Sequence, residues 1–129
     1  MRQILIFSAA AEAATGIALM VAPSAVVPLL IRENTTDLVT WLGRFVGIAL
    51  LSLGMACWPE QHRPEVSRAA FRALLAYNTL VALLFGYLGA AVHVGGPLLW
   101  PAAVLHVVIA LLLWMRRRDT RRTVRVEAS

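Results

Sequence analysis

The sequence predicts an all-α chain: a four-helix transmembrane bundle with a short interfacial segment between helices 1 and 2. Three observations predict it. Sixty per cent of the 129 residues are hydrophobic, well above the apolar share of an ordinary soluble domain. The apolar residues gather into four runs near the ~20 residues that a membrane-crossing helix needs. The four tryptophans, Trp41, Trp58, Trp100 and Trp114, fall at the ends of runs two and four, where an amphipathic ring meets head groups.

Span one covers residues 3–22 and stops at Pro23. The stretch from Ser24 to Ile31 is apolar but interrupted by Pro28. It is too short to cross, so it is expected to lie at the interface or to re-enter shallowly. Thr35 or Thr36 can cap the next helix, with Asp37 in its first turn. Span two covers 38–58. After a polar turn, Pro64 suits the first helical position of the next segment, and span three covers 69–92. Gly95-Gly96-Pro97 breaks it, and span four covers 98–115. One four-span unit therefore occupies 1–118. A basic tail, 119–129, has little to bury and is expected to be helical only at its start.

A cleaved signal peptide is the competing reading of the N-terminus, from Arg2, the apolar run and the small residues at Ser24-Ala25. Glu12 inside the run and Pro23 beside the cleavage position argue against it.

All twelve basic residues are arginine, and six lie between Arg116 and Arg125. Placed directly after an apolar run, such a cluster is expected to set topology and touch anionic lipid head groups rather than bind nucleic acid. Arg2, Arg63 and Arg68 fall on the same side as the tail, whereas the other side carries Arg32 beside Glu33 and Asp37. The positive-inside rule thus places both termini in the cytoplasm. The single cysteine, Cys57, excludes an internal disulfide and a dithiol mechanism within the chain.

Glu12 is the outlying residue. A carboxyl inside an apolar span is costly unless it faces protein or water, which makes it a functional-site candidate. Counting at ~1.5 Å per residue puts Glu12, Asn78 and His106 near mid-depth on three different helices, with Tyr77 beside them. Arg44 lies ~7 Å from Glu12 along the axis, within reach of a bent side chain. The candidate intramembrane polar site is therefore Glu12, Arg44, Asn78, His106 and Tyr77, with Arg44 or His106 as partner of the acid. Helix–helix hydrogen bonding and snorkelling of Arg44 are the structural alternatives. Gly43, Gly47 and Gly54 on span two, and Gly86 with Ala90 on span three, allow another helix to approach closely. No metal-ligand spacing, nucleotide fingerprint or catalytic triad is present, so no metal, no cofactor and no enzymatic activity are expected.

The arrangement resembles the small bacterial four-helix membrane proteins grouped as DoxX-like. The resemblance is carried by Ala22-Pro23 with an apolar segment behind it, by Arg44-Phe45-Val46-Gly47 followed by Leu51-Ser52-Leu53-Gly54, and by Leu105-His106. It extends to about Arg118 and implies architecture rather than a reaction. Ala11-Glu12 followed by Leu19-Met20 is also similar to the small multidrug resistance transporters, which have an essential glutamate in their first span. Arg44 and the arginine tail depart from that pattern. The leading expectation is a non-enzymatic membrane protein that binds a small lipophilic molecule or supports a membrane complex, as a homodimer or within a larger assembly. The alternatives are a proton-coupled small-molecule exporter working through Glu12 and a quinone or redox accessory protein.

Overall fold

The computed structural model describes residues 2–32, 36–58 and 64–127, with side chains described over 2–32, 36–58 and 68–116. The described residues are mostly helical and contain no strand. The helices are α1 (Arg2–Val21), α2 (Pro23–Ile31), α3 (Asp37–Ala56), α4 (Pro64–Tyr87), a π-helical turn (Leu88–Val92) that continues α4, and α5 (Leu99–Glu127). Four stretches are long and apolar enough to cross a membrane: Arg2–Val21, Asp37–Ala56, Arg68–Val92 and Leu99–Arg116.

Two elements differ from expectation. Pro28 does not interrupt α2, which runs unbroken for nine residues; a short helix survives one missing amide donor. Arg32 closes it in the left-handed conformation at φ 50°, its N–H donating to the Pro28 carbonyl at 3.0 Å. The tail does not fray after its start, because α5 continues to Glu127. Beyond Pro101 no proline or glycine interrupts it, and an existing helix extends at low cost. The helix that carries span three begins at Pro64, the first helical position expected for it. Thr36 is the N-cap of α3, its hydroxyl accepting from the Val39 N–H at 3.3 Å; Thr35 lies outside the described residues.

α1 and α3 form an antiparallel pair held backbone to backbone. A Cβ on Gly16 would stand 2.6 Å from the Leu51 nitrogen, one on Gly47 would stand 2.7 Å from the Gly16 carbonyl, and one on Gly54 would stand 2.6 Å from the Ala9 carbonyl. Only glycine permits that approach. Gly43, one turn further, faces Pro23 of α2 instead. A Cβ on Gly86 of α4 would meet nothing within 4 Å, so the close approach its spacing allows is unused among the described residues.

α4 and α5 form a second pair, with Gly89 against Trp100. α2 links the two pairs at one end. Gly96 N–H donates to the Leu30 carbonyl and Leu98 N–H to the Leu29 carbonyl, each at 2.8 Å. These bonds satisfy carbonyls that a helix C-terminus otherwise leaves open.

Two apolar clusters fill the interior. Near the tail end, Leu5, Ala9, Cys57, Leu74, Ile109 and Leu113 pack together. Near the α2 end, Leu19, Val27 and Leu50 pack with Val39 and Tyr77 at their margin. The outward faces are also apolar: Phe7, Ile17, Trp41, Phe45, Leu80 and Leu83 are all more than half exposed.

Candidate functional site

Between the two apolar clusters lies a polar layer built from α1, α4 and α5. Its centre is Asn78, fully buried. The Asn78 amide donates to the Leu74 carbonyl at 2.8 Å and to Ser8 Oγ at 3.3 Å. Its carbonyl oxygen accepts from His106 Nδ1 at 2.8 Å, which fixes the imidazole tautomer with the proton on Nδ1. One amide thus joins three helices.

Aromatic rings hold the imidazole from two sides. Tyr77 meets His106 edge-on at 5.7 Å between centroids and 79° between planes, and Phe85 does so at 5.9 Å and 70°. Such T-shaped contacts set the positive edge of one ring against the negative face of the other.

Glu12 lies one helical turn after Ser8, and residues four apart share a helix face. It is 3% exposed. The Tyr77 hydroxyl lies within hydrogen-bonding reach of its carboxyl, while Glu12 Oε1 is buried with no hydrogen-bond partner. A buried polar atom without a partner costs ~1–3 kcal/mol. In a chain that satisfies Asn78 so fully, this orphan needs an explanation.

Of the five residues expected at the site, the structure brings four into one layer: Glu12, Tyr77, Asn78 and His106. It does not bring Arg44 there. Arg44 is exposed, and its guanidinium sits over the Trp41 ring at 5.1 Å. The physical reason is azimuthal. Gly43 and Gly47 mark the buried face of α3, and the residue after Gly43 is rotated ~100° away from that face. His106 takes Asn78 as its partner rather than Glu12. Ser8 and Phe85 join the layer without having been singled out in the sequence. Ser8 was findable from its spacing to Glu12. Phe85 was not, because an aromatic residue in an apolar run looks like any other packing residue.

Other polar groups stand apart. The hydroxyl of Ser52 donates to the Ile48 carbonyl, and that of Thr79 to the Leu75 carbonyl. His93, in the left-handed conformation at φ 60°, is exposed at the end of the π turn. His62 lies outside the described residues. Among the described residues no cluster of three or more His, Cys, Asp or Glu side chains could hold a metal. A groove of about 430 Å³ runs along the outside of α4 and α5, lined by Leu75, Leu83, Leu111 and Trp114 among others. It is apolar and holds none of the polar layer.

The chain was compared with known family models, curated proteins and solved structures, and none matches. The functional reading therefore rests on the residues themselves.

Proposed function

We propose that the chain is an integral membrane protein of four spans, lying in a bacterial inner membrane with both termini cytoplasmic, whose polar layer binds a small lipophilic molecule. Its architecture is of the DoxX-like kind. The outward apolar faces support the membrane placement. In water so large an exposed apolar surface promotes aggregation, whereas in lipid it is the expected exterior. Trp41 and Trp100 start α3 and α5 at the α2 end, and Trp58 and Trp114 lie at the opposite end. That gives two aromatic levels. The arginines of the α5 extension belong with anionic head groups on the cytoplasmic side.

The observation that carries the binding reading is the orphaned Glu12 Oε1. A carboxyl serving only as a helix–helix contact would be expected to have found a partner, as Asn78 did. One left open inside the protein awaits a group from outside the chain. The experiment is gentle extraction into lipid nanodiscs, followed by mass spectrometry of the released small molecules. We expect a lipophilic compound in stoichiometric amount from the unaltered protein, and its loss from the Glu12→Leu variant. Equal recovery from both would remove the binding role.

A second reading, a scaffold supporting a membrane complex, is favoured by the closed Ser8–Asn78–His106 chain and by the open flank at Gly86. It expects partner proteins to co-purify and the Glu12→Leu variant to retain them. The exporter reading requires in addition that transport move protons through Glu12, which flux measurements in proteoliposomes would show.

A further inference from the structure

Resting on the membrane placement, and independent of the polar layer, we propose that the outer groove between α4 and α5 holds one acyl chain of an anionic phospholipid. The lipid belongs to the cytoplasmic leaflet, and its phosphate sits on Arg68 and Arg72.

The groove has a volume of about 430 Å³, within the roughly 300–1,000 Å³ of small-molecule sites. Small side chains at Thr79, Ala82 and Ala110 leave the space, and Leu83, Leu111 and Trp114 border it. The Thr79 hydroxyl donates to the Leu75 carbonyl at 2.7 Å, so it does not call for a polar ligand. The α5 wall runs from Val107, next to His106 at mid-depth, to Trp114 at the cytoplasmic head-group level. That is a rise of ~10 Å, against ~15 Å for one leaflet, half of the ~30 Å hydrocarbon core. A lipid tail matches that extent. A spanning helix of a second copy would need contact across both leaflets.

Charge decides which lipid. Helical spacing of four and three places Arg68, Arg72, Leu75 and Thr79 on one face of α4, and the last two line the groove. Both arginines are exposed. Side chains on a helix tilt toward its N-terminus, which for α4 is the cytoplasmic end, so the tilt favours the head-group level. Residues 68–116, which supply both walls, contain no Asp or Glu, so neither wall offers an acid to neutralise the pair. Guanidinium groups take phosphate oxygens in bidentate fashion, and arginines at the membrane surface favour anionic lipid. A zwitterionic lipid would bring its own cation to the same place.

The test uses the full chain in nanodiscs of equal parts phosphatidylcholine and phosphatidylglycerol, both with oleoyl chains. Native mass spectrometry reads the lipid that stays on the released protein. The unaltered protein is expected to retain a lipid, with phosphatidylglycerol enriched at least about tenfold over phosphatidylcholine. Arg68→Gln with Arg72→Gln is expected to lower that enrichment about tenfold. Arg121→Gln with Arg122→Gln removes the same charge from the tail and is expected to leave the enrichment within about threefold. Ala110→Phe fills the groove and is expected to lower retention of both lipids about tenfold or more. The comparison of the two arginine pairs stands even if Ala110→Phe folds poorly. Equal retention of the two lipids by the unaltered protein would overturn the anionic assignment. Equal loss from the two arginine pairs would assign the attraction to diffuse charge and overturn the site. A lipid-free dimer that Ala110→Phe dissociates would overturn the proposal in favour of a second copy in the groove. Release of the protein as a lipid-free monomer would also overturn it. Failure of the chain to enter nanodiscs at all would contradict the membrane placement itself, and the proposal with it.

Discussion

Asn78 and Glu12 make opposite predictions, although they lie in the same layer. Asn78 satisfies three polar groups on three helices, so Asn78→Leu leaves Ser8 and His106 without their partner. The expected loss is about 1–3 kcal/mol of stability, measured by denaturant titration in detergent followed by circular dichroism. Loss below ~0.5 kcal/mol would mean that the bonds to Ser8 and His106 contribute nothing net. Glu12→Leu removes an acid whose Oε1 is unpartnered and replaces it with an apolar group of similar length. The ligand-free protein is then expected to be as stable as the original or more so, by up to about 1 kcal/mol. A marked destabilisation would assign Glu12 a structural role. The axial level of these residues was legible in the sequence, because rise per residue converts position to depth. Pairing was not, because depth carries no information about which way a side chain points. Arg44 shows the difference: its level permitted a bond to Glu12, and its position on the outer face of α3 prevents one.

At the scale of helices, glycines that look alike in the sequence have different consequences. A Cβ on Gly47 would run into the α1 backbone, whereas one on Gly86 would meet nothing among the described residues. Gly47→Leu is expected to force α1 and α3 apart and cost several kcal/mol, at least the ~1–3 of ordinary overpacking. Gly86→Ala is expected to be neutral or to stabilise by up to ~1 kcal/mol, since alanine is the better helix former. Thermal unfolding of both variants in one detergent checks the pair. Destabilisation by Gly86→Ala would indicate a helix packed on that face, as in an assembly of several copies. Hydropathy and tryptophan placement were enough to locate the four long helices. The short α2 was harder to read, since Pro28 suggested a break. Part of what holds α2 is a pair of backbone bonds from Gly96 and Leu98, 66 and 69 residues away in sequence from the Leu30 and Leu29 carbonyls they reach, and no local pattern reveals those. Gly96 is buried against the Leu29 carbonyl, so Gly96→Val is expected to loosen α2 and raise amide exchange at Leu98.

At the scale of the whole molecule, two helix pairs meet across a thin interface. α1 with α3 is closed by glycine contacts, and α4 with α5 forms the other pair. Ser8, Asn78 and His106 join them at mid-level, and α2 joins them at one end. Such a construction places Glu12 where the pairs face one another, beside Tyr77 of α4. All of this supposes that the apolar exterior faces lipid, with Gln3 and Trp58 at one surface and Thr36 at the other. Single cysteines in a Cys57→Ala background test that directly. In intact spheroplasts, a membrane-impermeant maleimide is expected to label Thr36→Cys, to label Gln3→Cys only after lysis, and to leave Leu80→Cys unlabelled throughout. Labelling of all three in intact cells, or recovery of the protein from the soluble fraction without detergent, would contradict the account.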